Sequence, residues 1–112
     1  MNGVDPNGLR KRTGIMAGSL ENNSNRPVIV TNMDDEMSAY VAPGAKSPEG
    51  QDWDFVTTPD CKVTKMGGIF TTTVNSDGSV TPGVKGRPAN EGETNHVNEI
   101  NKKNNCKCSK IK

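Results

Sequence analysis

"KMGGIFTTTV" (residues 65–74) runs into "NSDG" (75–78) and then "SVTPGVKG" (79–86), and this stretch decides the fold. Two β-forming segments flank a short loop that carries the favoured Asp77-Gly78 pair, which predicts a β-hairpin. Pro82 follows Val80 so closely that the second strand must be short or lie at an edge. Upstream, "PVIVT" (27–31) is short, β-branched and bounded by Asn25 and Asn32, as suits a buried strand. "MSAYVAP" (37–43) predicts another strand, ended by Pro43-Gly44. "DWDFVTT" (52–58) alternates, which puts Trp53 and Phe55 on one face and Asp52, Asp54 and Val56 on the other. Downstream, "TNHVNEINKK" (94–103) sets Val97 and Ile100 three apart among polar residues, with Thr94 as the N-cap of one marginal amphipathic helix. The expected fold class is mainly β, a small antiparallel sheet or barrel with a hairpin near 69–84, plus one short C-terminal helix. An α+β description is the alternative.

The chain has 112 residues, of which 30% are apolar and 4% aromatic. That allows one small domain with a thin core, drawn from Pro27–Thr31, Ala39–Ala42, Trp53–Val56 and Ile69–Val74. A formal net charge of +1 favours neither nucleic acid nor a membrane surface. Acid gathers in the middle (Asp34, Asp35, Glu36, Asp52, Asp54, Asp60), and Lys102, Lys103, Lys107, Lys110 and Lys112 make a basic tail. No apolar run approaches a membrane span, and the N-terminus lacks the apolar core of a signal peptide. The cysteines are Cys61, Cys106 and Cys108. An odd count argues against a closed disulfide framework, so three free thiols in a reducing compartment are expected.

Residues 1–25 are rich in Gly, Asn and Ser around a basic stub, Arg10-Lys11-Arg12. They read as a linker or loosely attached arm, followed by a single β-rich domain at 26–104 and a basic tail at 105–112. The arm opens with Asn2-Gly3-Val4-Asp5-Pro6-Asn7-Gly8-Leu9, a strong turn signal. This octamer resembles the segment that closes the core of Rhs (YD-repeat) proteins, with Gly3 where an aromatic residue is common. In that family the segment marks a boundary between a large β-cocoon and a short, variable C-terminal toxin, often released by cleavage there. The resemblance covers eight residues, and no Rhs repeats precede it here. It implies a toxin tip made in a bacterial cytoplasm, delivered to a rival cell by a secretion apparatus and neutralised by a cognate immunity protein.

Four constellations could carry chemistry. His96 is the only histidine, so it is the one near-neutral general base. With Lys85 and Arg87 as an electrostatic clamp it has the parts of a metal-independent ribonuclease. Cys61, His96, Cys106 and Cys108 supply four zinc-compatible ligands, although their spacing is unlike the common zinc motifs. Cys61 with His96 and Asn95 or Asn98 has the residue types of a cysteine hydrolase, but Asp60 beside Cys61 disfavours a thiolate. Asp52 and Asp54, on one side of a strand, could bind a divalent cation with help from Asp60 or Glu36, as in a metal-dependent nuclease. Gly67-Gly68 belongs to no phosphate cradle and suggests a bulge. The expected function is therefore the nuclease toxin of an Rhs-type effector, with nucleic acid as substrate. It needs no cofactor, or zinc as the alternative. The competing expectation is a non-catalytic β-rich adaptor, or a toxin remnant without activity.

Overall fold

The computed structural model describes residues 18–67 and 71–108. At its centre lies β2 (Val28–Asn32), in which every residue is buried. An uninterrupted β-branched run can be buried this way only when layers cover both faces of its sheet. β2 pairs antiparallel with β3 (Met37–Val41) on one side and β4 (Phe55–Thr57) on the other. The sheet continues through β5 (Val63–Lys65) to β8 (Arg87–Pro88), in the order β3-β2-β4-β5-β8. A second, three-stranded sheet has the order β1-β6-β7, from β1 (Ser19–Asn22), β6 (Thr71–Val74) and β7 (Val80–Thr81). Both sheets are open. The β1–β6 pair is parallel, while β6 and β7 form the antiparallel hairpin expected from the sequence. Its loop closes through Asn75 and Ser79, with Gly78 at a φ of +89° that few residues other than glycine accept. Residues 69 and 70 of the expected hairpin lie outside the described residues.

The two sheets enclose the larger core. Leu20 and Val74 from the small sheet meet Val28, Val30, Val41 and Val56 from the large one, with Trp53 and Met66 filling the gap. Asn22 is wholly buried at one end of this core, and its carboxamide is fully used. Its nitrogen donates to the Arg26 and Val41 carbonyls at 2.8 and 3.0 Å, and its oxygen accepts from the Ser24 N–H and hydroxyl. It therefore joins β1 to the start of β2 and the end of β3.

The opposite face of the large sheet is covered by α1 (Glu91–Lys103). The strand registers line up Ser38, Thr31, Phe55, Lys65 and Arg87 as one row across all five strands. α1 crosses the strands along this row. Asn101 bonds Thr31 and Ser38, Val97 packs on Phe55 and Val63, and Glu93 pairs with Arg87. Residues 93, 97 and 101 are one helical stripe. Its length of about 12 Å matches the span of a few strand spacings at about 4.8 Å each.

Several details depart from the sequence reading. The fold takes in residues before 26, because β1 supplies the fully buried Leu20; residues 1–17 lie outside the described residues. α1 starts three residues earlier than Thr94, because Asn90 and Glu93 form a reciprocal capping box that the apolar spacing does not reveal. β4 begins only at Phe55, so the alternation expected from Asp52 onward breaks: Trp53 joins Val56 between the sheets, and Phe55 lies under α1. Gly67 abuts the 82–84 backbone so closely that a Cβ would lie 2.0 Å from the Val84 carbonyl oxygen. Cys61 and Cys108 form a disulfide, so the expectation of three free thiols is overturned; only Cys106 is free. The bridge closes a 47-residue separation and ties residues 105–108 of the presumed tail to the β4–β5 turn. In the chain-entropy account such a link stabilises the fold by about 4 kcal/mol.

Asn101→Ala leaves the buried Thr31 hydroxyl and the half-buried Ser38 hydroxyl without their shared acceptor and should destabilise the chain by about 2–3 kcal/mol. Asn98→Ala, on the exposed side of the same helix, should cost under about 0.5 kcal/mol. Urea unfolding of both variants beside the wild type measures the difference.

Candidate functional site

The β2–β3 turn brings Glu36 against the end of α1. Glu36 has a φ of +51°, a left-handed conformation that costs a side-chain-bearing residue about 1 kcal/mol. The helix end holds it there twice. The Lys103 ammonium meets its carboxylate at 2.5 Å, and the Asn104 carboxamide donates to its backbone carbonyl at 3.0 Å. The bond and charge of Lys103 hold the Glu36 carboxyl below its usual range, and His96 lies near enough for its charge to act in the same direction. Within α1, His96, Glu99 and Lys103 follow at spacings of three and four, so they share one flank of the helix. His96 is exposed there. An imidazole, a carboxylate and an ammonium thus gather at the surface beside a strained turn residue.

Arg87 and Lys85, the cations expected to serve His96, have unlike surroundings. Arg87 grips Glu93 with two parallel bonds of 2.7 and 2.8 Å, and Glu93 also accepts from the Asn90 N–H to complete the helix cap. These bonds, Arg87 first, pull the Glu93 carboxyl down to about 2. The guanidinium therefore serves the helix start as well as carrying charge. Lys65 lies directly across the strand pair from Arg87, with its ammonium 5.4 Å from the centre of the Phe55 ring. Like charges in register destabilise a sheet, and Glu93 is the anion that offsets them. Lys85 is exposed with φ +66° and has no ion-pair partner among the described residues.

The remaining candidates are committed to structural contacts. Asp52 accepts from the Gly18 N–H at 2.6 Å and Asp54 from the Met33 N–H at 2.8 Å, so the two carboxylates serve different backbone segments and do not face one cation. Burial, the leading cause, raises the Asp54 carboxyl above its ordinary value. The disulfide removes Cys61 and Cys108 from the proposed zinc set and deprives a cysteine hydrolase of its Cys61 nucleophile. Among the described residues no cluster of His, Cys, Asp and Glu is placed to hold a metal ion. No helix among them is long and apolar enough to cross a membrane. The approach of Glu36 and Lys103 to the His96 flank is not legible in the sequence. Glu36 precedes His96 by sixty positions, and no local spacing links a turn to a helix flank.

No protein-family model matches the chain, and no curated protein or solved structure is detectably similar to it.

The Glu93 carboxyl, lowered in the folded chain relative to 4.5 when unfolded, makes stability rise with pH, since the unfolded state binds the extra proton. Its contribution should be complete above pH 4.5 and fade as the pH falls towards 2. Thermal unfolding of wild type and Glu93→Gln across this window should converge at the acid end and diverge above it.

Proposed function

We propose that the chain is the toxin tip of an Rhs-type effector, a metal-independent ribonuclease that works at the α1 flank around His96. The toxin reading rests on the octamer at residues 2–9 and on the folded unit that follows it. The observation that supports the site is the clamped Glu36, held by Lys103 and Asn104 within electrostatic reach of His96. In this reading His96 takes the proton of a ribose 2′-hydroxyl, whose oxygen attacks the adjacent phosphorus to form a 2′,3′-cyclic phosphate, and the 5′-oxygen leaves with a proton from water. Glu36 offsets the charge that the imidazole acquires. Lys65, Lys85 and Arg87 supply positive potential for the phosphate as its charge develops. A cognate immunity protein would neutralise such a tip.

The second reading, a non-catalytic adaptor, is favoured by one set of contacts: Arg87, Asp52, Asp54 and Cys61 are each engaged in holding the fold. The oxidised protein, incubated with RNA and with DNA, separates the two. Under the ribonuclease reading the wild type cleaves RNA and spares DNA. His96→Ala should lower the rate at least about 100-fold and Glu36→Gln about tenfold, with the circular dichroism of the wild type retained. Induced expression in a bacterial cytoplasm should kill only with His96 intact. A folded wild type that cleaves neither nucleic acid and leaves growth unaffected overturns the toxin reading in favour of the adaptor. Equal cleavage by His96→Ala moves the site elsewhere.

A further inference from the structure

The chain that follows α1 turns back on itself and lies across the large sheet. Asn105 takes a left-handed conformation at φ +60°, the Cys106 N–H donates to the Asn101 carbonyl at 2.8 Å, and the Lys107 N–H donates to the Tyr40 hydroxyl at 2.9 Å. Cys106 packs on Ile29 and is 4% exposed, and Cys108 packs beside it. A cavity of about 230 Å³ lies along this segment, lined by Thr57, Asn98, Asn101, Lys102 and the 106–108 run. Thr57 and Asn101 in its lining are buried, Asn98 and Lys102 are exposed, and the segment forms one wall. One covalent bond fastens that wall, from Cys108 to Cys61, and Cys61 sits in the 58–62 turn at φ +66°. The other fastenings are the Asn105 and Cys106 N–H bonds to the last turn of α1, the Tyr40 hydroxyl on Lys107 and one small apolar contact, a low-stability element by its makeup.

We propose that residues 105–108 are a redox-gated strap: the Cys61–Cys108 disulfide holds it closed over Ile29 and the Cys106 thiol, and reduction of that bond opens it. The reductant is a thiol of the glutathione class or a dithiol. It gives up two electrons and two protons, the Cys61 and Cys108 sulfurs become thiols, and the reductant leaves as its own disulfide. The larger core around Trp53 does not touch the strap, so the opening is local. It uncovers Cys106, whose thiol burial now holds above its ordinary pKa and so in the unreactive form. The strap would thus be closed in an oxidising compartment and open in a reducing cytoplasm.

Alkylation of the whole chain with iodoacetamide, before and after treatment with dithiothreitol, tests this. Tryptic cleavage after Lys107 separates Cys106 from Cys108, so each is read alone by mass spectrometry. Cys106 should label at least about tenfold faster in the reduced chain, and as fast in untreated Cys61→Ser, while Trp53 fluorescence stays at its native wavelength. Equal labelling of Cys106 in the oxidised and reduced chains overturns the proposal, whether both rates are slow or both fast. A shift of Trp53 emission on reduction also overturns it, since the disulfide then holds the whole fold rather than a strap. Neither outcome depends on ribonuclease activity.

Discussion

The carboxamide of Asn101 is the contact on which the layering of this protein depends. A helix of mostly polar residues has little apolar surface to offer a sheet, and α1 buries only Val97, Ile100 and Asn101. The Asn101 oxygen accepts from the Thr31 hydroxyl at 2.7 Å and from Ser38, while its backbone carbonyl receives the Cys106 N–H. One residue therefore joins the helix to β2 and β3 and starts the return of the chain towards the disulfide. A satisfied buried polar group of this kind specifies one docking of the helix, because any slip leaves hydroxyls and an amide unpaired in a dry place.

The helix stripe through 93, 97 and 101 carries this logic across the sheet. Its middle is apolar, where Val97 covers Phe55, and its two ends are polar, with Asn101 on Thr31 and Glu93 on Arg87. The flank next to that stripe is left at the surface, and it carries His96 together with the Lys103 that pairs with Glu36. Placement of the candidate site is thus a consequence of how the helix is docked. The opposite flank, with the exposed Asn98 and Lys102, lines the cavity beside residues 106–108. One helix accordingly separates the proposed site from the proposed strap.

The small apolar share is made sufficient by polar joints and one covalent link. Asn22 does for the β1–β2–β3 corner what Asn101 does for the helix, with all its bonding capacity used. The disulfide then fastens the segment with the least packing. The small sheet has β1 at its edge, parallel to β6, and from there Leu20 reaches Val28, Val30 and Val41.

What could be read from the chain alone was local. The β-branched run at Val28–Thr31, the Asp77-Gly78 loop and the Val97–Ile100 spacing each announce their element, because strand period, turn chemistry and helix period act over a few neighbouring residues. The helix start was legible in principle from Asn90 and Glu93 three residues apart. Tertiary structure alone decided the rest. The pairing of Cys61 with Cys108, the separation of Trp53 from Phe55 and the diversion of Asp52 and Asp54 to different backbone donors follow from which strands become neighbours. The pairing of Glu36 with Lys103 on the His96 flank has the same origin. It requires a turn between two strands and the flank of a distant helix to reach one place, and only the docking of α1 on the completed sheet brings them there.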